Sequence, residues 1–348
     1  MLQIALRSRH LMEPYLRQTE DGHGSHRGVQ FQTALTHDAD WLAVLDDIAV
    51  AETTLVPKER RILLVTEPPG IKPQAAAFTN QFGIAVSPFA LKGFTGRWIE
   101  SQSALPWFYG APLIDGRLVP RLSLADLKAL PMPANKQPRL SVVCSTKSKL
   151  PRHRERLALI AAIQAALPGV IDVYGSGFQM IPDKADAIDP YRYHLVLENN
   201  DIPHFWTEKL ADPYLGYALP VFSGCANITD YFADDAIVRL GDIGDHAAAI
   251  EAIRDLIARD PFDQHLGAIR IARAKLIEEY NLFSMIAAIA KPPATLTGAA
   301  MALPRLTAQA TLQPPPRVFR GPFGPARKAI HVLKTKLRAT AQRRPRDA

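Results

Sequence analysis

Residues 191–227 read YRYHLVLENNDIPHFWTEKLADPYLGYALPVFSGCAN, and this stretch decides the architecture. Tyr193–Leu197 is a short apolar run that stops at Glu198-Asn199, the pattern of a strand buried on both faces. A loop with Phe205 and Trp206 then leads to Thr207, a favoured helix N-cap. The spacing predicts a helix over 207–217. Leu219–Phe222 is the next buried strand, closed by Ser223-Gly224. Strand, helix and strand in this order form the repeating unit of a parallel sheet.

The same alternation continues outward. Arg139–Cys144 reads as a strand. The segment 152–167 carries Leu157, Leu159, Ile160, Ile163 and Leu167 at helical period, and Val170–Tyr174 returns as a strand ended by Gly175-Ser176-Gly177. Residues 247–258 and 262–280 read as helices. On the N-terminal side, Trp41–Leu45 and Arg61–Val65 are strands, and the stretch from Ser87 to Gly110 reads as loop-rich. Between the halves, Leu130–Pro138 holds three prolines and no apolar period, which marks a linker. The expected fold is α/β: two Rossmann-like doubly wound domains, 1–130 and 139–292, facing across a cleft. A linker at 131–138 joins them, and a Pro-rich basic tail follows from 293 to 348.

Charge divides the chain differently. The net charge is +7, yet residues 304–348 hold eleven of the 41 Lys and Arg residues and only one acid, Asp347, so the body carries about −3. Within Ala326–Arg344, Ile330, Leu333 and Leu337 fall on one helical face among basic residues. This is the pattern of a basic amphipathic helix on an anionic membrane surface. No aromatic residue interleaves with those basic residues, so nucleic acid is not the expected partner. No secretory leader and no apolar run of membrane-spanning length is visible. Cys144 and Cys225 are too few for a disulfide framework. The expected location is therefore cytoplasmic, peripheral to a membrane through the tail.

Ligands in doubly wound sheets bind at the carboxyl ends of the strands. Here those ends carry Glu67, Ser145, Tyr174 to Gly177, Glu198-Asn199 and Ser223-Gly224. Lys209 lies in the first turn of the helix that opens at Thr207. A cation there is unfavourable by itself but favourable beside a bound anion, because the free backbone N–H groups already form an anion site. The segment therefore points to a phosphate-bearing ligand. Asp38-Ala39-Asp40 matches the short D-x-D metal pattern, but three residues before a strand read as structural, and no histidine pair has metal spacing.

The segment also resembles the C-terminal domain of the glycosyltransferase family 10 enzymes, the α-1,3/4-fucosyltransferases. The matching elements are Tyr191-Arg-Tyr-His-Leu-Val-Leu-Glu198-Asn199, then Phe205-Trp206-Thr207-Glu208-Lys209, then Pro220-Val221-Phe-Ser-Gly224. The resemblance implies an enzyme with a GT-B-like fold, in which 139–292 binds the nucleotide sugar and 1–130 the acceptor. It implies GDP-fucose as donor, an oligosaccharide or lipid-linked glycan as acceptor, inversion at the anomeric carbon, and no required metal or other cofactor. Lys209 and an arginine at the start of the 152–167 helix are implied for the diphosphate. That arginine is placed at Arg154, with Arg152 and Arg156 as register alternatives. Tyr174, Gly175, Glu198, Asn199, Phe205, Thr207 and Glu208 are implied around the donor, and Glu67 as general base. The family has Tyr where Phe205 stands, so one hydroxyl contact is lost. Pro213 should kink or shorten the helix. Two readings compete: transfer of another GDP-deoxysugar on the same fold, and a scaffold or nucleic-acid-binding protein acting through the tail.

Overall fold

A computed structural model describes residues 1–34, 39–102, 105–291 and 309–316. Its strands are β1 (Leu2–Ser8), β2 (Ser25–His26), β3 (Val29–Gln32), β4 (Trp41–Leu45), β5 (Glu52–Thr54), β6 (Arg61–Leu64), β7 (Ile84–Ser87), β8 (Arg97–Glu100), β9 (Leu113–Ile114), β10 (Arg117–Leu118), β11 (Gln137–Val143), β12 (Ile171–Tyr174), β13 (Tyr191–Leu197), β14 (Leu219–Ser223), β15 (Val238–Arg239) and β16 (Ala310–Leu312). The helices are α1 (Ala76–Thr79), α2 (Leu124–Ala129), α3 (Pro151–Ala166), α4 (Glu208–Leu215), α5 (His246–Arg259), α6 (Phe262–Glu278) and α7 (Leu282–Ala290).

Two main sheets carry the architecture. The first runs β2-β3-β1-β4-β6-β7-β8, parallel except for the β2–β3 hairpin, and the second runs β12-β11-β13-β14-β15, all parallel. The apolar runs of β4, β6 and β14 have almost no exposed position, because helices and loops cover both faces of such sheets. In the first sheet the chain moves from β1 to β3 on one side and to β4 on the other. In the second it moves from β11 to β12 on one side, with β13 on the other. Each domain therefore has a topological switch point, β1/β4 and β11/β13, where a crevice opens at the carboxyl ends of the strands. The two sheets agree with the expected pair of α/β domains built on parallel sheets.

The packing divides the chain differently from the proline-rich run. Trp107, Tyr109, Leu124 and Leu127 belong to the core of the second sheet, with Leu140, Leu195 and Ile269. Conversely, Leu282, Phe283, Ile286 and Ala287 of α7 pack against Ile4, Phe31 and Ile62 of the first sheet. The chain thus crosses to the second domain near Leu105 and returns near Asn281, where these two residues form a bridge. The proline-rich linker at 131–138 lies inside the second domain, and β11 begins within it. The proposed tail also starts too early. β16 pairs antiparallel with β5, and Leu312 is buried beside Val44, Leu63 and Phe78. These elements belong to the unit Met1–Pro314. The basic helix expected over 326–344 and the first aspartate of Asp38-Ala39-Asp40 lie outside the described residues. No helix among the described residues is long and apolar enough to cross a membrane.

Buried polar groups fix the crossing point. Arg17 donates from its guanidinium to the carbonyls of Trp107 (2.8 Å), Tyr109 (2.9 Å) and Leu122 (3.0 Å). Asn281 Nδ2 donates to the Gln18 carbonyl at 2.8 Å, and the Trp107 N–H donates to Gln18 Oε1 at 2.9 Å. Bonds of this kind hold only at one relative placement of the partners.

Candidate active site

The β11/β13 switch point is built from the segment that decides the fold. β13 is followed at once by Glu198, which is fully buried. Its Oε1 accepts from the Thr207 N–H and from Thr207 Oγ1, both at 2.7 Å, and its Oε2 lies 3.4 Å from Lys209 Nζ. Thr207 caps α4 by accepting from the Lys209 N–H at 3.3 Å. Lys209 Nζ also donates to Thr207 Oγ1 at 3.0 Å and lies 3.7 Å from Glu208. One buried carboxylate therefore ties the strand end to the helix start. It orients Lys209. Burial disfavours the Lys209 ammonium, but Glu198 and Glu208 outweigh it and raise the pKa above its ordinary value. Gly224, after β14, lies where a Cβ would come within 2.8 Å of the Glu198 side chain, so glycine is required there.

Glu208 is held ionised. Burial alone would raise its pKa, but Lys209 and Lys184 bring it down to about 2. Lys184, in the turn Lys184–Ala187, lies 3.4 Å from Glu208 Oε1 and donates to Asp212 Oδ2 at 2.7 Å. The other oxygen of Asp212 accepts from the N–H groups of Phe108 (2.9 Å) and Tyr109 (3.0 Å). Pro213 leaves α4 a continuous but short helix ending at Leu215. Lys184 and Asp212 are missed by sequence reasoning. One sits in a brief turn and the other inside the helix, and only the tertiary fold pairs them.

The register of the arginines follows from the spacing along α3, which begins at Pro151. Arg156 stands three, four and seven positions before Leu159, Ile160 and Ile163 and shares their buried face. Arg156 is buried and donates to Asn199 Oδ1 at 3.0 Å, and Arg152 donates to Ser223 Oγ at 3.0 Å. Arg154 is exposed and donates only to the Ser148 carbonyl. The arginine that faces the site is thus Arg156, with Arg152 beside it, and not Arg154. Among the described residues, Arg152 Nε, Arg156 Nε, His153 Nδ1 and Asn200 Nδ2 are buried without a hydrogen-bond partner. Three of these atoms lie in the first two turns of α3 and the fourth just after β13, and buried polar groups are normally paired. Together with the start of α3, they form an arrangement suited to an anion.

Of the remaining expected residues, Gly175 (φ +115°) lets its loop pass the end of β11, where a Cβ would lie 2.1 Å from the Cys144 carbonyl oxygen. Its N–H is spent on the Gln179 carbonyl. Tyr174 is turned away from the site: its hydroxyl lies 2.6 Å from that of Tyr191, with Ala187 completing a separate cluster. Phe205 is buried and packs the loop before Thr207. A small pocket beneath the site is lined by Cys144, Arg156, Lys184, Leu197, Lys209 and Asp212.

The opposite domain supplies Glu67, just past β6. It is half-buried. Burial raises its pKa, and Asp46 raises it further. Lys209 and Glu208, from the other domain, also act on its charge, which puts the carboxylate within electrostatic reach of the α4 start. Asp46 accepts from the Thr66 N–H at 2.7 Å and so fixes the segment that presents Glu67. Tyr15, also from this domain, has its pKa raised by burial and by Glu208, and its ring packs edge-on to Phe108 with centroids 6.4 Å apart. No group of three or more His, Cys, Asp or Glu among the described residues could hold a metal ion.

Residues 136–261 match the sequence profile of glycosyltransferase family 10 (fucosyltransferase) C-term. That match covers about a third of the chain. The matched segment spans β11 to α5 and contains Arg156, Glu198, Asn199, Thr207, Glu208 and Lys209. No curated protein matches the chain by sequence. Among solved structures, an α1,3-fucosyltransferase aligns at 15% identity over 76% of this chain and 80% of that one, with a TM-score of 0.48. An α1,3-fucosyltransferase with GDP aligns at 15% identity over 81% and 92%, with a TM-score of 0.47. The apo structure of OtsA aligns at 13% identity over 74% and 73%, with a TM-score of 0.41.

Proposed function

We propose that the chain is an inverting fucosyltransferase that moves fucose from GDP-fucose to a hydroxyl of an oligosaccharide or lipid-linked glycan, in α-1,3 or α-1,4 linkage. The observation that carries this reading is the set of buried donors on Arg152, Arg156 and Asn200, with the buried Nδ1 of His153, that have no partner among the described residues. They lie at the switch point of the segment that matches family 10, beside Lys209. A nucleoside diphosphate would satisfy them.

In the reaction, the acceptor oxygen attacks the anomeric carbon from the face opposite the diphosphate. The bond from that carbon to the diphosphate oxygen breaks, and GDP leaves with the electron pair. Arg156 and Lys209 stabilise the growing negative charge as preorganised cations. Glu67 takes the acceptor proton, and its raised pKa brings it closer to the range in which a carboxylate base is effective. Glu208, held as a carboxylate by Lys209 and Lys184, accepts hydrogen bonds from donor hydroxyls. The test is calorimetric titration with GDP, UDP and ADP, followed by turnover of GDP-fucose on glycan acceptors. GDP should bind at least tenfold tighter than the other two. Equal affinity for all three, or no fucose release, would end the proposal.

A further inference from the structure

We propose that His153 is a direct ligand of the donor diphosphate and takes up a proton as the nucleotide binds. The inference rests on the donor reading above and adds a residue and a linkage to it. His153 lies in the first turn of α3, and 9% of its surface is exposed. Among the described residues its Nδ1 has no partner, and neither do Arg152 Nε one position before it and Arg156 Nε three positions after it. The first turn of α3 holds no acid. A nitrogen buried in this way is destabilising unless a ligand supplies the missing bond, and the ligand that suits it here is an anion at the helix start.

The charges that act on His153 are Arg156 on its own helix, Lys147 on the loop leaving β11 and Lys209 on α4. All three are cations. Burial first, and then these cations, hold its pKa below the ordinary histidine value, so without ligand the imidazole is neutral. A diphosphate at the site reverses the local field. It favours the imidazolium, which then donates an N–H to a phosphate oxygen. The sign follows: the bound form has the higher pKa, so binding strengthens as pH falls through that value and levels off below the lower one.

The experiment is calorimetry on the full chain and on His153→Gln, with GDP and with inorganic pyrophosphate. It is run at pH 6.5 and 7.5 in two buffers of unlike ionisation heat. Ligand phosphates themselves titrate near pH 6, so the reading is the difference between the two proteins. The parent should take up approaching one proton per GDP more than His153→Gln at pH 6.5. Its affinity should gain up to about tenfold more than the variant's over that pH unit. Equal proton uptake and equal pH slopes overturn the proposal. A direct check needs no variant: the His153 imidazole resonance should move to its charged position when GDP is added, and an unmoved resonance also overturns it. Pyrophosphate separates the two readings. If GDP binds no tighter than pyrophosphate, the nucleotide-sugar reading fails, while the proton difference measured with pyrophosphate still decides the role of His153.

Discussion

Replacing Arg156 by alanine should weaken GDP binding about tenfold to a hundredfold, whereas replacing Arg154 should leave it within about twofold. The two residues are one helical turn-fraction apart and carry the same charge, so long-range attraction treats them almost alike. Their surroundings differ. Arg156 is buried, anchored by one bond to Asn199 at 3.0 Å, and keeps Nε unpartnered. Arg154 is exposed and bonded to a loop carbonyl. A charge-assisted hydrogen bond to a phosphate contributes roughly 1.5–3 kcal/mol. At about 1.4 kcal/mol per factor of ten, that gives the expected range. An exposed arginine acting only through screened charge contributes less than about 0.5 kcal/mol. The assay is calorimetric titration of GDP at physiological salt, with a thermal melt of each variant to confirm folding. Equal losses in both variants would show that general positive charge, and not the α3 register, binds the nucleotide.

Three further outcomes are expected. Glu67→Gln should retain GDP affinity and lose about 10²–10⁴-fold in turnover. In the parent, turnover should fall as pH drops through the raised Glu67 pKa, because the base works only when deprotonated; steady-state rates against pH check both. Glu198→Ala strips the Thr207 N–H and hydroxyl and the Lys209 ammonium of a fully buried partner. It should cost about 3 kcal/mol or more and lower the melting temperature by about 5 °C. A chain cut after Leu303 loses β16 and the buried Leu312, so it should melt lower by the equivalent of about 2–5 kcal/mol. A chain cut after Pro316 should melt like the parent, and its co-sedimentation with anionic vesicles, compared with that of the full chain, tests the basic tail alone.

The second domain was legible because its signals are local. β13 and β14 are unbroken apolar runs, Thr207 is a cap, and the strand ends carry the polar residues that form the site. The first domain was harder to read. β1 contains Arg7, a charged residue that is buried because Glu52 and the carbonyls of Leu6, Thr33 and Ala34 accept from its guanidinium. β8 is an edge strand with three of its four residues exposed. Neither presents the continuous apolar run of a covered strand. The arginine register failed for a different reason. Arg152, Arg154 and Arg156 alternate by two, which in a helix sets Arg152 and Arg156 on one face and Arg154 on the opposite one. The apolar spacing fixes which of them points inward: Arg156 falls three, four and seven positions before Leu159, Ile160 and Ile163. Lys184 left no trace in sequence, since its partners Glu208 and Asp212 lie more than twenty positions away.

The return of α7 and β16 to the first sheet has a consequence for the order of assembly. On a ribosome the chain emerges from its N-terminus, and domains generally fold as they emerge. The first sheet cannot do so here. The helix that covers Ile4, Phe31 and Ile62 is made after the whole second domain, and the strand that pairs with β5 later still. The second domain, continuous from Leu105 to Glu278, has all its core residues on hand earlier. Synthesis therefore leaves the N-terminal half waiting with an uncovered apolar face while the C-terminal half closes first, and the last described strand of the chain completes the first domain.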